Sequence, residues 1–145
     1  MSTALVAGGG GFIGSHLINK LVESNTSPII SVDIKPPKVN VEGVTYITAD
    51  VRDLSAFSLN GKSISTIYNF AAIHTTPGHE HHEYYETNIL GANEVTKFAE
   101  NNDISEIIFT SSISVYGAGE SRKTEASTPT PVSSYGYSKM MAEQI

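Results

Sequence analysis

The sequence contains no cysteine, so its 145 residues offer no disulfide, no thiolate metal site and no thiol nucleophile. Basic residues are scarce too: nine lysines and arginines stand against fifteen aspartates and glutamates, and the formal net charge is −6. That balance argues against nucleic acid or an anionic membrane as the main partner. The N-terminus lacks a basic leader, and apolar runs reach only about four residues. We therefore expect neither a secretory signal nor a membrane span, and a cytoplasmic protein.

Strand-like and helix-like segments alternate along the chain. The predicted strands are residues 3–7, 29–32, 44–48, 65–70 and 106–110, and the predicted helices are 12–24, 54–59, 82–101 and from about 135 onward. Such alternation is typical of βαβ units with right-handed crossovers. We predict an α/β fold, a doubly wound parallel sheet of the Rossmann type, in one domain over residues 1–145. In this prediction the sheet is truncated after its fifth strand, and the sequence stops shortly after the start of the last helix.

A cluster of glycines follows the first predicted strand and opens the first predicted helix. Gly8, Gly11 and Gly14 are spaced by three residues. In this spacing the first glycine can take a positive φ, the second lets a pyrophosphate approach the backbone, and the third lets helix and strand pack closely. The N–H groups at the helix start also favour phosphate. The cluster predicts a dinucleotide cradle, and a glycine-rich hairpin turn is the alternative.

An acidic residue ends the second predicted strand. Asp33 follows Gly14 by about twenty residues, the spacing at which a carboxylate accepts hydrogen bonds from ribose hydroxyls. Its charge would repel a 2′-phosphate, so the sequence favours NAD over NADP. Lys35 and Lys38 leave NADP open, because a nearby cation can accommodate that phosphate. A turn role before the prolines is the alternative for Asp33.

Other strand ends carry residues suited to the same crevice, since ligands of open parallel sheets bind outside the carboxyl ends of the strands. A carboxylate or backbone group after the third strand can reach an adenine edge, although a turn or cap role is equally open. Small residues after the fourth strand admit a flat ligand, and hydroxyls end the fifth. These candidates are Asp50, Val51, Phe70, Ala71, Ala72, Thr110 and Ser111.

The last constellation pairs a tyrosine with a lysine at helical spacing. Tyr135 and Lys139 are four residues apart and share one helix face. A free tyrosine is a poor base at neutral pH, but a lysine ammonium and an oxidised nicotinamide would both favour the phenolate. Ser112 could hydrogen-bond the same substrate oxygen. The three residues predict proton transfer coupled to hydride transfer at a carbinol carbon, and an exposed helix pair is the alternative.

Together these motifs resemble the extended short-chain dehydrogenase/reductase family, in its nucleotide-sugar epimerase/dehydratase branch. The resemblance runs from residue 2 to residue 145. The matching segments are Gly8-Gly9-Gly10-Gly11-Phe12-Ile13-Gly14, Asp33, Asp50-Val51-Arg52-Asp53, Phe70-Ala71-Ala72, Asn88-Ile89-Leu90-Gly91, Ser111-Ser112-Ile113-Ser114-Val115-Tyr116-Gly117 and Pro131-Val132-Ser133-Ser134-Tyr135-Gly136-Tyr137-Ser138-Lys139.

The resemblance implies a bound NAD and a role for individual residues. It gives Tyr135 the part of base and acid, Lys139 the nicotinamide ribose, and Ser112 the polarisation of the sugar oxygen. Asn88 matches a family asparagine at the cofactor pocket, and His74 falls where other members place a polar residue near the nicotinamide. The resemblance also makes Phe12 and Ile13 part of the glycine motif that holds the cofactor.

Two residues after the fifth-strand hydroxyl help to sort activities within the family. Dehydratases resemble one another in an Asp-Glu pair there, whereas this chain has Ile113 and Ser114. The resemblance therefore implies a 4-epimerase acting on a nucleotide-sugar, most simply a UDP-sugar, through a transient 4-keto sugar. A decarboxylase, reductase or dehydratase of the same family stays an alternative.

Family members are about twice this length, so we expect the cofactor-binding half of such an enzyme without its substrate lobe. A nucleotide-binding module without turnover is the competing hypothesis. Dimers in the family commonly use the long helix and the Tyr-Lys helix, so a homodimer is expected. His79, His81 and His82 suggest a metal, but without a matching carboxylate pattern we interpret them as a solvated loop and helix start, and we predict no metal site.

Overall fold

The computed structural model describes residues 3–74, 78–119 and 122–145. Five strands and four α-helices follow along these residues. The strands are β1 (Ala4–Ala7), β2 (Ile29–Asp33), β3 (Val44–Thr48), β4 (Thr66–Asn69) and β5 (Glu106–Phe109). The α-helices are α1 (Phe12–Glu23), α2 (His81–Tyr85), α3 (Gly91–Asn101) and α4 (Ser134–Ala142), with a π-helical turn at Glu86–Leu90 and a 3₁₀ helix at Ile113–Tyr116. Within the described residues, no helix separates β2, β3 and β4.

The sheet is parallel throughout, in the strand order β3-β2-β1-β4-β5. Strands β2 and β3 extend it from one side of β1, and strands β4 and β5 extend it from the other. The chain therefore reverses direction across the sheet between β1 and β4. A crevice forms at such a switch point, outside the carboxyl ends of the strands. The predicted Rossmann-type sheet is confirmed.

Alternate residues of the central strands feed two cores, one on each face of the sheet. Ala4 and Val6 pack with Ile18 of α1 on one face. Leu5 packs with Val95 of α3 on the other face. Since both faces of β1 are covered, its side chains are apolar without interruption, as in parallel sheets generally.

The predicted helix at 54–59 is wrong, because polar side chains divert the backbone into turns. The Asp53 carboxylate accepts the backbone N–H of Ser55 at 3.1 Å, and the Ser58 hydroxyl accepts that of Asn60 at 3.2 Å. Such local hydrogen bonds compete with the helical ones. Leu54 is still buried, so the apolar positions are used without the helix.

The predicted helix at 82–101 is one helical segment in three parts. It consists of α2, the π-helical turn and α3. The predicted loops at 71–80 and 116–134 include residues 75–77 and 120–121, which lie outside the described residues. The second loop is entered from the 3₁₀ helix, which had not been predicted.

Strand β5 forms one edge of the sheet, and its apolar side chains are partly exposed. Ile107 and Ile108 keep 36% and 43% of their surface accessible. In a doubly wound sheet covered on both faces, these two side chains would have much less accessible surface. This end of the sheet therefore lacks a covering layer within the described residues. No helix in the described part of the chain is long and apolar enough to cross a membrane.

Candidate functional site

A crevice lies outside the carboxyl ends of the strands and divides into two adjoining pockets. Each pocket has a volume of about 380 Å³, and both are bordered by Gly8, Gly11, Phe70 and Ala72. We call the pocket on the β2 side the Asp33 pocket and the one on the α4 side the Tyr135 pocket. A ligand that crosses the glycine turn would therefore occupy both.

The glycine turn admits no larger residue at two of its positions. Gly8 has φ +80°, and a Cβ atom there would lie 2.7 Å from the backbone nitrogen of Ala71. A Cβ atom on Gly14 would collide with the carbonyl oxygen of Gly8. Helix α1 begins after Gly11 without a side-chain cap, which leaves its first N–H groups to a ligand. Next to Gly11, Phe12 is 80% exposed. This arrangement is a backbone cradle for phosphate.

The Asp33 carboxylate is fixed by two backbone donors. Gly10 donates its N–H to Oδ2 at 3.0 Å, and Lys35 donates its N–H to Oδ1 at 3.0 Å. An ionised carboxylate accepts about four hydrogen bonds, so about two acceptor positions remain for ligand hydroxyls. Lys35 and Lys38 do not line the Asp33 pocket. The cation that lines this pocket is an arginine, Arg52, and none of its described lining residues is a lysine.

The next strand end brings an arginine that sequence reasoning had not singled out. Arg52 donates to both oxygens of Asp50, with Nη2 2.6 Å from Oδ2 and Nε 3.0 Å from Oδ1. Its hydrogen bonds hold the pKa of the Asp50 carboxyl below its usual value. Val51 is buried beside this ion pair, and all three residues line the Asp33 pocket. Much of the acceptor capacity of Asp50 is therefore already used.

The Tyr135 pocket contains the predicted tyrosine and lysine. Lys139 is only 2% exposed, and burial lowers its pKa to about 8 while Glu143 acts weakly in the opposite direction. Its Nζ atom has no hydrogen-bond or ion-pair partner among the residues that the structure describes. His74 lines the same pocket. A buried cation therefore stands ready for a ligand oxygen one helical turn from Tyr135.

The two serines after β5 have different surroundings. Ser111 lines the Tyr135 pocket, and its buried hydroxyl has no partner among the described residues. Ser112 is not among the lining residues; its oxygen accepts the N–H of Ser114 at 3.1 Å and caps the 3₁₀ helix. The Ser112 hydroxyl hydrogen can still be donated, but the structure does not bring this residue into the pocket wall.

Asn88 lies behind the crevice wall. Its side-chain oxygen accepts the N–H of Ile73 at 2.8 Å, and its amide nitrogen donates to the carbonyl of Ile73 and to the hydroxyl of Ser138. Ser138 donates in turn to the carbonyl of Tyr135 at 2.8 Å. Asn88 thus joins the loop after β4 to helix α4, and it lines neither pocket. Sequence reasoning had quoted Ser138 only as part of a motif.

Two of the three histidines considered for a metal contact other side chains in the structure. His81 begins α2 and hydrogen-bonds Ser134, and His79 lies 3.5 Å from Glu83. Glu80 and Glu83 form a capping box at the start of α2. Within residues 3–74, 78–119 and 122–145, no group of three histidine, aspartate or glutamate side chains is arranged to hold a metal ion.

The residues of the crevice suit a dinucleotide. The cradle has no room for a Cβ atom at two positions, and Asp33 has spare acceptor capacity. At the far end, the Ser111 hydroxyl and the Lys139 ammonium group have no hydrogen-bond partner among the described residues. The fold and the crevice define a Rossmann-type dinucleotide-binding domain.

Comparison with known proteins narrows this class. The profile of a family described as "NAD dependent epimerase/dehydratase family" matches residues 4–145, and the chain belongs to that family. The UDP-glucose 4-epimerase of Halalkalibacterium halodurans is 31% identical over 148 residues, which cover 97% of this chain and 44% of that protein. A putative UDP-glucose 4-epimerase of Methanocaldococcus jannaschii is 32% identical over 147 residues, covering 97% and 48%.

A solved structure agrees. "MoeE5 in complex with UDP-glucose and NAD" superposes with a TM-score of 0.85 at 30% identity, over 99% of this chain and 47% of that one. The chain therefore spans less than half the length of these relatives. NAD is the cofactor of the family, which confirms the cofactor predicted from the sequence, and membership of an enzyme family is confirmed as well.

Proposed function

We propose that residues 1–145 are the NAD-binding domain of a nucleotide-sugar epimerase, the half of the enzyme that carries the cofactor and the acid–base residues. The observation that carries the proposal is the Tyr135 pocket. A buried lysine with no hydrogen-bond or ion-pair partner among the described residues lies one helical turn from Tyr135, at the end of a crevice that begins in the phosphate cradle. The relatives named UDP-glucose 4-epimerase support a UDP-sugar as substrate.

The cradle and the Asp33 pocket bind the adenosine half of the dinucleotide in this proposal. The N–H groups at the start of α1 receive the pyrophosphate, and Asp33 accepts hydrogen bonds from the adenine-side ribose. Asp50 and Val51 lie at the adenine edge, and Ala71 leaves room for close approach. NAD supplies, when bound, a hydride acceptor at the other end of the crevice.

The residues of the Tyr135 pocket handle the proton. Tyr135 accepts the proton of the sugar 4-hydroxyl as that carbon becomes a ketone, and returns it when the alcohol reforms on the opposite face. Lys139 holds the ribose hydroxyls and favours the phenolate by its positive charge. Ser112 donates its hydroxyl hydrogen to the sugar oxygen. Ser111 is the nearer serine to the cofactor, because it lines the Tyr135 pocket and Ser112 does not.

The residues after Ser112 favour epimerisation over dehydration. Ile113 and Ser114 occupy the first turn of the 3₁₀ helix, and neither has a group that titrates near neutral pH. Water elimination needs an acid and a base beside the sugar. A decarboxylase or a reductase with the same tyrosine and lysine is the second candidate.

Turnover on a panel of UDP-sugars tests the proposal. We expect the enzyme that contains this domain to show, with NAD, reduced nicotinamide or the 4-epimer with at least one UDP-sugar, and Tyr135→Phe to remove the signal. Tyr137→Phe is the matched control, because Tyr137 is exposed on the same helix and does not line the Tyr135 pocket. Equal activity of Tyr135→Phe and wild type would reject the assignment.

A nucleotide-binding module without turnover is the competing proposal. Calorimetry with NAD separates the two: binding without any turnover supports the module, and no binding rejects both.

We also propose a homodimer through the helical segment α2–α3 and α4, where Leu90, Tyr137 and Met141 are exposed. Sedimentation of the chain at several concentrations tests it.

A further inference from the structure

The ammonium group of Lys139 lies over an aromatic ring. Its Nζ atom is 4.2 Å from the centroid of the Phe109 ring. Among the described residues no oxygen acceptor holds this group, although the lysine is almost fully buried. The Phe109 ring therefore lies directly against the charge, while the Glu143 carboxylate attracts it without forming an ion pair among the described residues.

A buried ammonium group is costly unless its charge is compensated. The face of an aromatic ring carries partial negative charge and attracts a cation within about 6 Å of its centroid. The attraction grows when water is excluded. An aliphatic side chain at the same position would fill the space but would not attract the ammonium group.

We propose that Phe109 is a positioning residue for Lys139. Its ring stabilises the charged form of the ammonium group and fixes the position of that group in the Tyr135 pocket. The proposal rests on the proposed function only in treating Lys139 as a residue that meets the cofactor.

The fold fixes the ring in place. Phe109 is the last residue of β5 and pairs in register with Asn69 of β4. Its backbone is therefore held by the sheet at the strand end where the crevice opens. Lys139 approaches from α4, which packs on the 3₁₀ helix and the π-helical turn. The ring belongs to the sheet and the ammonium group to helix α4, so the contact fixes the position of the ammonium group relative to the end of β5.

Fluorinated phenylalanines at position 109 test the electrostatic part of the proposal with little change in shape. Each added fluorine weakens the negative potential of the ring face. We expect the pKa of Lys139, read by NMR of lysine side-chain carbons in the cofactor-free 145-residue chain, to fall stepwise by about one unit across the series. The Lys139→Met chain assigns the signal, and exposed Lys97 serves as internal control. An unchanged or rising pKa would overturn the proposal.

Truncation of the ring gives a second measurement. We expect Phe109→Leu to weaken NAD binding several-fold in calorimetry, because the Lys139 ammonium group loses the ring that positions it. Phe57→Leu is the matched control, since Phe57 stacks on Phe98 in the core below α3. Equal losses of affinity in both variants would count against a positioning role. Neither measurement involves a sugar, so the absence of turnover would reject the proposed function and leave this inference standing.

Discussion

The amide nitrogen of Asn88 donates to the hydroxyl oxygen of Ser138 at 2.8 Å, which ties the π-helical turn to helix α4. The same side chain pairs with both backbone groups of Ile73. One buried asparagine therefore holds together the loop after β4 and the helix of Tyr135 and Lys139. Its capacity for hydrogen bonds is mostly consumed by protein partners.

We expect Asn88→Ala to destabilise the cofactor-free chain by about 1–3 kcal/mol, because it leaves the partly buried backbone groups of Ile73 and the buried Ser138 hydroxyl without this partner. Urea unfolding measures the loss. Asn93→Ala, in the following helix, is the control and should cost far less. If Asn88→Ala weakened NAD binding and left stability intact, Asn88 would contact the cofactor instead.

Much of the fold follows from the sequence because short apolar runs in a βαβ pattern have few other solutions. All five strands fall within a residue or two of the predicted bounds. Segment 54–59 could not be predicted from its apolar spacing. Its outcome depends on whether Asp53 and Ser58 bond to the nearby backbone, and a helix and a turn bury Leu54 equally well. The π-helical turn likewise depends on the tertiary partners of Asn88.

Part of the candidate site could likewise be predicted from the sequence, and part of it could not. Gly8, Gly14 and Asp33 could be found because each answers a local geometric demand of a strand-to-helix turn or a strand end. Phe109 and Arg52 could not, since their roles exist only once β5 meets α4 and the turn after β3 closes. The different surroundings of Ser111, which lines the Tyr135 pocket, and Ser112, which caps the 3₁₀ helix, also have no sequence signal.

Asp33→Ala should weaken NAD binding at least about tenfold and reduce the preference for NAD over NADP. The carboxylate is held by Gly10 and Lys35 with acceptor capacity to spare, and its removal deletes both the ribose acceptor and the charge that repels a 2′-phosphate. Calorimetry with both cofactors measures the two affinities. Asp53→Ala, an exposed aspartate outside both pockets, is the control. Unchanged affinity for both cofactors would remove Asp33 from the site.

Arg52→Gln should raise the pKa of Asp50 toward its ordinary value, because the guanidinium hydrogen bonds are the main cause of its depression. Carbon NMR of the carboxyl groups follows the titration. The depressed pKa means that the ion pair is complete above the ordinary carboxyl range and is lost as the pH falls through the lowered value. Lys20→Gln, whose partner Glu23 lies on the far end of α1, is a control that should leave Asp50 unmoved.

Lys139 should make the cofactor-free chain more stable as the pH rises through the alkaline range. Its pKa is about 8 in the folded chain against an ordinary 10.5, so between these values the unfolded chain binds a proton that the folded chain has released. The free energy of unfolding then rises with pH, by about 3 kcal/mol over the whole window. Lys139→Met removes this cost at every pH. We therefore expect it to exceed wild type in stability at pH 7, with the difference shrinking toward pH 10. Urea unfolding at several pH values measures the difference, with Lys97→Met as the exposed control. A difference that does not change between pH 7 and pH 10 would show that the folded Lys139 keeps its ordinary pKa.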